Sequence, residues 1–141
     1  MRRRMKLAET DREIQACFAV MHELRPHLEP GKFESQVQRL HELYGFRLAF
    51  LEDGEVMCVA GIRIGEWLHQ GRYLEIEDFV TRPGFRSRRY GGDLFDWIAD
   101  YGRSQACVHL RLLSGVARKD AHRFYERKGM QMLAHYFSMD L

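Results

Sequence analysis

Three carboxylates, Glu75, Glu77 and Asp78, stand within four residues of one another in Tyr73–Thr81, a stretch otherwise dominated by apolar and aromatic side chains. An unpaired charge is costly to bury, so some of them must face a cleft or meet cations. Facing a cleft, a carboxylate can take a proton from a nucleophile. Paired with Arg72 or with the arginines that follow, it is structural, and the two readings carry equal weight. In an extended strand 75 and 77 share a face and 78 takes the opposite one.

The next segment, Arg82-Pro83-Gly84-Phe85-Arg86-Ser87-Arg88-Arg89-Tyr90-Gly91-Gly92, joins that strand to a helical pattern. Backbone N–H groups at a glycine-opened helix start, at the positive end of the helix dipole, suit a pyrophosphate. Arg82, Arg86, Arg88 and Arg89 add four cations where the anion would sit. The same arginines equally suit a solvated surface loop. Nucleic acid is the weaker reading, because neither an aromatic stacking platform nor a continuing basic stripe accompanies them.

Other reactive residue types are less informative. His109 lies between Val108 and Leu110, and His122 lies on a late helix; neither has a partner at metal-ligand spacing, so no metal is expected. Trp67, His69 and Tyr73 either line a pocket or cover the sheet. Cys17, Cys58 and Cys107 are single and odd in number, which argues for reduced thiols rather than a disulfide frame or zinc cluster.

The elements that must position these residues fit one domain. The chain has 141 residues, enough to bury a self-sufficient core. Hydrophobic residues at 45% and charged residues at 30% exclude a disordered chain. With 22 Lys and Arg against 20 Asp and Glu, the net charge of +2 gives no reason to expect a polyanionic partner. Met1-Arg2-Arg3-Arg4 runs into Met5-Lys6-Leu7 without the apolar stretch of a signal peptide, and no apolar run approaches a membrane span, so a cytoplasmic protein is expected.

A short strand is predicted at about 5–9, followed by a helix that Thr10 and Glu13 open as a capping box and that Pro26 and Leu28-Glu29-Pro30-Gly31 interrupt. A second helix covers about 33–44 and stops at Gly45. Phe46–Leu51 and Val56–Ile64 form an antiparallel pair turned by Asp53-Gly54. Tyr73–Thr81 is a central strand, Gly91–Arg103 a helix, Val108–Leu113 a strand, Lys119–Lys128 a helix closed by Gly129, and Met132–Leu141 a final strand. The order is β-α-α-β-β-β-α-β-α-β, an α/β (α+β) mixed sheet rather than a doubly wound one.

Arg86-Ser87-Arg88-Arg89-Tyr90-Gly91-Gly92-Asp93-Leu94 resembles the acetyl-CoA pyrophosphate loop of the GNAT superfamily of N-acetyltransferases, whose pattern is Gln/Arg-x-x-Gly-x-Gly/Ala. Arg86 matches the first position and Gly91 the last. Arg89 stands where the middle glycine is usual, and a positive φ there would strain it. Ala121-His122-Arg123-Phe124-Tyr125-Glu126-Arg127-Lys128-Gly129-Met130 resembles the superfamily's late helix, Ala-x-x-Phe/Leu-Tyr-x-x-x-Gly-Phe. Ser114–Tyr125 is similar to small bacterial members that acetylate aminoalkylphosphonates and related amines, with Arg118 where many relatives carry asparagine.

The resemblance implies a single acyl-CoA N-acyltransferase domain over 1–141, with a GNAT-like mixed central sheet splayed between its fourth and fifth strands. It implies transfer of the acetyl group from acetyl-CoA to a primary amine of a small molecule, by direct attack in a ternary complex. Phe79 and Val80 would hold pantetheine and the acyl oxygen through their backbone. Arg86, Ser87, Arg88, Arg89, Gly91 and Gly92 would hold the pyrophosphate. Tyr125 matches the tyrosine that protonates the departing sulfur, since a phenol stays protonated at neutral pH. Glu77-Asp78-Phe79 resembles the Glu-Asp-Phe/Leu segment of polyamine acetyltransferases, whose glutamate acts as base through water, and Glu77 is the base candidate.

A covalent acyl-enzyme is not expected, because Cys17 and Cys58 fall in core elements and Cys107 lacks an adjacent histidine. Arg89 and Arg118, as departures from the pattern, motivate an alternative: a non-catalytic acyl-CoA-binding or regulatory module of the same fold. Small relatives often pair through sheet edges or C-terminal strands, and the apolar His135–Leu141 segment permits a homodimer.

Overall fold

The structure, a computed structural model, describes residues 3–141, and of Ser87 only the backbone. The chain divides into two compact units, residues 1–111 and 112–141. The first opens with β1 (Arg4–Leu7), then α1 (Asp11–Ala16), α2 (Phe18–Leu24) and α3 (Pro30–Tyr44). Strands β2 (Arg47–Asp53), β3 (Glu55–Trp67) and β4 (Gly71–Thr81) follow, then a 3-10 turn (Arg86–Arg88), α4 (Tyr90–Ser104) and β5 (His109–Leu112). The second unit holds α5 (Lys119–Arg127).

Local chemistry explains most of these boundaries. The Thr10 hydroxyl accepts from Glu13 N while the Glu13 carboxylate accepts from Thr10 N, the expected capping box of α1. The first helix is two short ones meeting at the fully buried Cys17. The helical run breaks after Leu24, ahead of Pro26 and Leu28-Glu29-Pro30-Gly31 as expected, and Pro30 opens α3 at its first turn, where a missing N–H costs nothing. Gly45, at φ 74°, ends α3 in the left-handed conformation that favours glycine. Asp53 faces Glu55 across Gly54, at φ 81°, so the hairpin forms where Asp-Gly predicts it.

The five strands lie in the order β1-β2-β3-β4-β5 in a mixed, open sheet, antiparallel from β1 to β4. One face is covered by α1, α2 and α3, whose Ile14, Val20, Met21, Phe33 and Val37 pack with Phe46, Leu48, Phe50, Val59 and Val80. The other face takes α4, with Leu94, Phe95 and Ile98 buried. Covered on both sides, β3 is buried continuously from Val56 to Ile62, which is why its sequence reads as an unbroken apolar run. The four-residue β5, entered through a Val108 N–H bond to Arg72 O of 2.9 Å, cannot accompany the eleven residues of β4 along their length.

The predicted final strand, Met132–Leu141, is not formed: residues 130–141 adopt no regular structure. A strand requires a ladder partner, and in this segment Leu133, Tyr136, Phe137 and Met139 are all exposed. The described order therefore stops at α5.

Candidate active site

A bulge in β4 organises the carboxylates. The β3–β4 register runs from Trp67 opposite Gly71 to Ile62 opposite Ile76, then slips so that Gly61 faces Asp78, leaving Glu77 as the extra residue. A bulge of this kind reverses the side-chain alternation beyond it. Before it, Leu74 lies on the α4 side against Gly102. After it, Phe79 takes that side, its ring 6.5 Å from that of Phe95, while Val80 joins the core under α1–α3. Asp78 accordingly shares the face of Glu75 and Glu77, which corrects the expectation from strict alternation. A Cβ on Gly61 would collide with the Asp78 carboxylate and the Phe46 ring, so this glycine makes the room both side chains use.

Each carboxylate has its own arginine, and none is the one the sequence suggested. Arg111 Nε donates to Glu75 Oε1 at 2.6 Å. Arg63 faces Glu77 with two nitrogens, Nε 3.0 Å from Oε2 and Nη2 3.2 Å from Oε1. Arg25, at the end of α2, donates through Nε to Asp78 Oδ1 at 2.9 Å and through Nη2 to the Glu77 carbonyl at 3.2 Å, pinning the bulge. Arg72 instead donates to Gln105 O, and Arg82 to Val56 O. These partners come from α2, β3 and β5, and no spacing in the sequence links them. Burial pushes the Glu77 carboxyl above its ordinary value; Arg63 opposes this, and Glu75 and Asp78 reinforce it.

A cavity of about 430 Å³ opens beside the bulge. Met21, Leu28, Phe33, Val37, Leu40, Phe46 and Leu48 form its apolar wall, and Arg25, His27, Gln36, Glu77 and Asp78 its polar one. His27 and Gln36 were not singled out by sequence reasoning, because a lone polar residue near a helix carries no signal until the fold closes round it.

The loop after β4 has the form of an anion cradle. Arg89 precedes α4 at φ 65°, ψ 16°, the left-handed conformation that its position in the motif implied, and among the described residues no side chain caps the helix start. Its first-turn N–H groups therefore keep their capacity for a ligand. Arg86, Arg88 and Arg89 are exposed, whereas Arg82 is committed to Val56 and Glu55, leaving three of the four expected cations. The Ser87 side chain lies outside the described residues. A Cβ on Gly91 would sit 3.5 Å from both the Phe79 ring and Thr81 Oγ1, so the helix start lies directly against the end of β4. The cradle is braced from the residue before β1 and from the end of β2: Arg3 donates to Arg88 O at 2.7 Å, pairs with Asp93 and lies over the Tyr90 ring, while the Tyr90 hydroxyl donates to Asp53 at 2.7 Å.

Tyr125 belongs to the second unit, half-buried on α5 with its ring 5.4 Å from Phe124. His122 Nε2 lies 2.8 Å from the Gly115 carbonyl, the structural role expected of it. The Arg111 guanidinium packs over both the Trp67 and the Tyr73 ring, 3.7 and 3.9 Å from their centres, and neither ring lines the cavity. Burial pushes the Cys17 thiol up to about 12 and the Cys58 thiol to about 11, leaving both protonated and poor nucleophiles.

Residues 8–130 match the profile of the acetyltransferase (GNAT) family, a span that includes both the cradle and α5. The chain belongs to that family. It is 34% identical, over 88% of its own length and 88% of the relative's, to the uncharacterized N-acetyltransferase YhdJ of Bacillus subtilis (strain 168). It is 31% identical, over 68% of its length and 62% of the relative's, to the aminoalkylphosphonate N-acetyltransferase of Salmonella typhimurium. An aminoglycoside N-acetyltransferase solved in complex with CoA shares the fold, with a TM-score of 0.83 over the whole of this chain and 97% of that one, at 11% identity. In this acetyltransferase-family chain no described helix is long and apolar enough to cross a membrane.

Proposed function

We propose that this protein is an acetyl-CoA-dependent N-acetyltransferase that acetylates a primary amine of a small molecule by direct attack, with 1–141 working as one acyltransferase domain in the cytoplasm. The observation that carries the reading is the uncapped start of α4, held against β4 by Gly91 and ringed by exposed arginines. The residues fit the donor: the first-turn N–H groups of α4, with Arg86, Ser87, Arg88, Arg89, Gly91 and Gly92, would hold the pyrophosphate. The backbone of Phe79 and Val80, at the end of β4 beside Gly91, would hold pantetheine and the acyl oxygen.

In the reaction the amine nitrogen bonds to the thioester carbonyl carbon and the carbon–sulfur bond breaks. Glu77, whose basicity burial raises, takes the proton the nitrogen gives up, and Tyr125 supplies one to the departing sulfur. The high thiol pKa values of Cys17 and Cys58 favour this direct route over an acyl-enzyme. A homodimer joined through the exposed apolar segment 132–141 completes the proposal.

Calorimetric titration with acetyl-CoA tests the reading without any guess about the acceptor. Saturable one-to-one binding that is lost in Gly91→Asp, where a carboxylate would oppose the pyrophosphate, supports it. Absence of binding at millimolar donor, or equal binding by the variant, removes the cradle as the donor site. Arg89, strained but cationic, also supports a second reading, a non-catalytic acyl-CoA-binding or regulatory module, which predicts donor binding without CoA release for any amine.

A further inference from the structure

The cavity beside the β4 bulge is apolar in its wall and balanced in its charge, and that combination discriminates among amines. Resting on the acetyltransferase reading, we infer that the acceptor is a small monoamine carried on an apolar alkyl or aryl body, with the body between α2, α3 and the sheet and the amine at the Glu77–Asp78 end. A cavity of about 430 Å³ is of the size that small ligands fill. Its wall of Phe33, Val37, Leu40, Phe46 and Leu48 offers an apolar body contact area and offers a second charge nothing.

The ion pairs sharpen the choice. A polyamine needs carboxylates in surplus, but Glu75, Glu77 and Asp78 each meet an arginine of their own. A phosphonate would have to sit against the Glu77 and Asp78 carboxylates that share the cavity with Arg25, the like charges opposing it beside an arginine already engaged on the Asp78 carboxylate and the Glu77 carbonyl. A single amine is the group this balanced set can accept, because a monoamine that enters as the free base adds no charge to it, whereas each further ammonium adds one with no carboxylate left to meet it.

The test compares phenethylamine, spermidine and 2-aminoethylphosphonate as acceptors for the full chain, by CoA release and by calorimetric binding of each amine. We expect kcat/KM for phenethylamine to exceed that of both others by at least tenfold. Gln36→Trp, which fills the cavity from the half-buried face of α3, and Gln36→Lys, which brings a like charge into it, should each weaken phenethylamine binding at least tenfold while acetyl-CoA binding stays within twofold. A smaller lead for phenethylamine, a lead for either other amine, or phenethylamine binding indifferent to both variants overturns the inference. If acetyl-CoA does not bind, the acetyltransferase reading fails by itself. The calorimetric comparison of phenethylamine with the two Gln36 variants then still decides whether the cavity takes an apolar amine.

Discussion

At the scale of single residues the proposed reaction rests on two proton transfers. Removing the Tyr125 hydroxyl removes a donor that matters only as the carbon–sulfur bond breaks, so Tyr125→Phe should lower kcat by about 10²- to 10⁴-fold with acetyl-CoA affinity unchanged. Unchanged turnover would retire Tyr125 as the acid. Glu77 must be ionised to act as base, and burial has raised its carboxyl. Activity should therefore be full above that raised value and fall as pH drops through it, on a limb lying above the ordinary value of a glutamate. A kcat/KM profile for wild type and Glu77→Gln checks this: the variant should lose the limb together with most of the activity. A limb that persists in the variant belongs to another group.

Among the elements, the start of α4 carries a visible conflict. A left-handed conformation costs a side-chain-bearing residue roughly 1–2 kcal/mol, and Arg89 adopts it where glycine would do so freely. Arg89→Gly should raise stability by up to about 1 kcal/mol, a few degrees in Tm. Acetyl-CoA binding read alongside tells what the strain is for. A more stable variant that binds the donor several-fold more weakly identifies Arg89 as a phosphate ligand. A variant with unchanged stability shows that the loop was not strained by this side chain. The β4 bulge is the other element-scale device, since one extra residue brings Asp78 to the face of Glu77 and gives Arg25 two acceptors at once.

For the whole molecule the exposed apolar side chains of 132–141 are the feature to explain. Leu133, Phe137 and Met139 are each more than two-thirds exposed in the single chain, an unfavourable arrangement that a second copy would relieve. Sedimentation at micromolar protein should give about twice the 16.7 kDa of one chain, and Phe137→Glu should return the monomer. A wild-type chain that stays monomeric across the concentration range ends this part of the proposal.

What the sequence determined by itself is what neighbouring residues decide among themselves. The Thr10–Glu13 capping box, the Asp53-Gly54 hairpin, the stop at Gly45 and the Arg-rich loop leading into α4 are all local, and each forms where its residues predict. The motifs around Arg86–Leu94 and Ala121–Met130 were enough to point to the GNAT family. Only the tertiary structure decided which side chains meet. Arg25, Arg63 and Arg111 reach the β4 carboxylates from 53, 14 and 36 positions away, and the bulge that puts all three carboxylates on one face depends on the register with β3. The final strand shows the same rule from the other side: Met132–Leu141 has the composition of a strand, but a strand exists only where another backbone lies alongside to complete its hydrogen bonds.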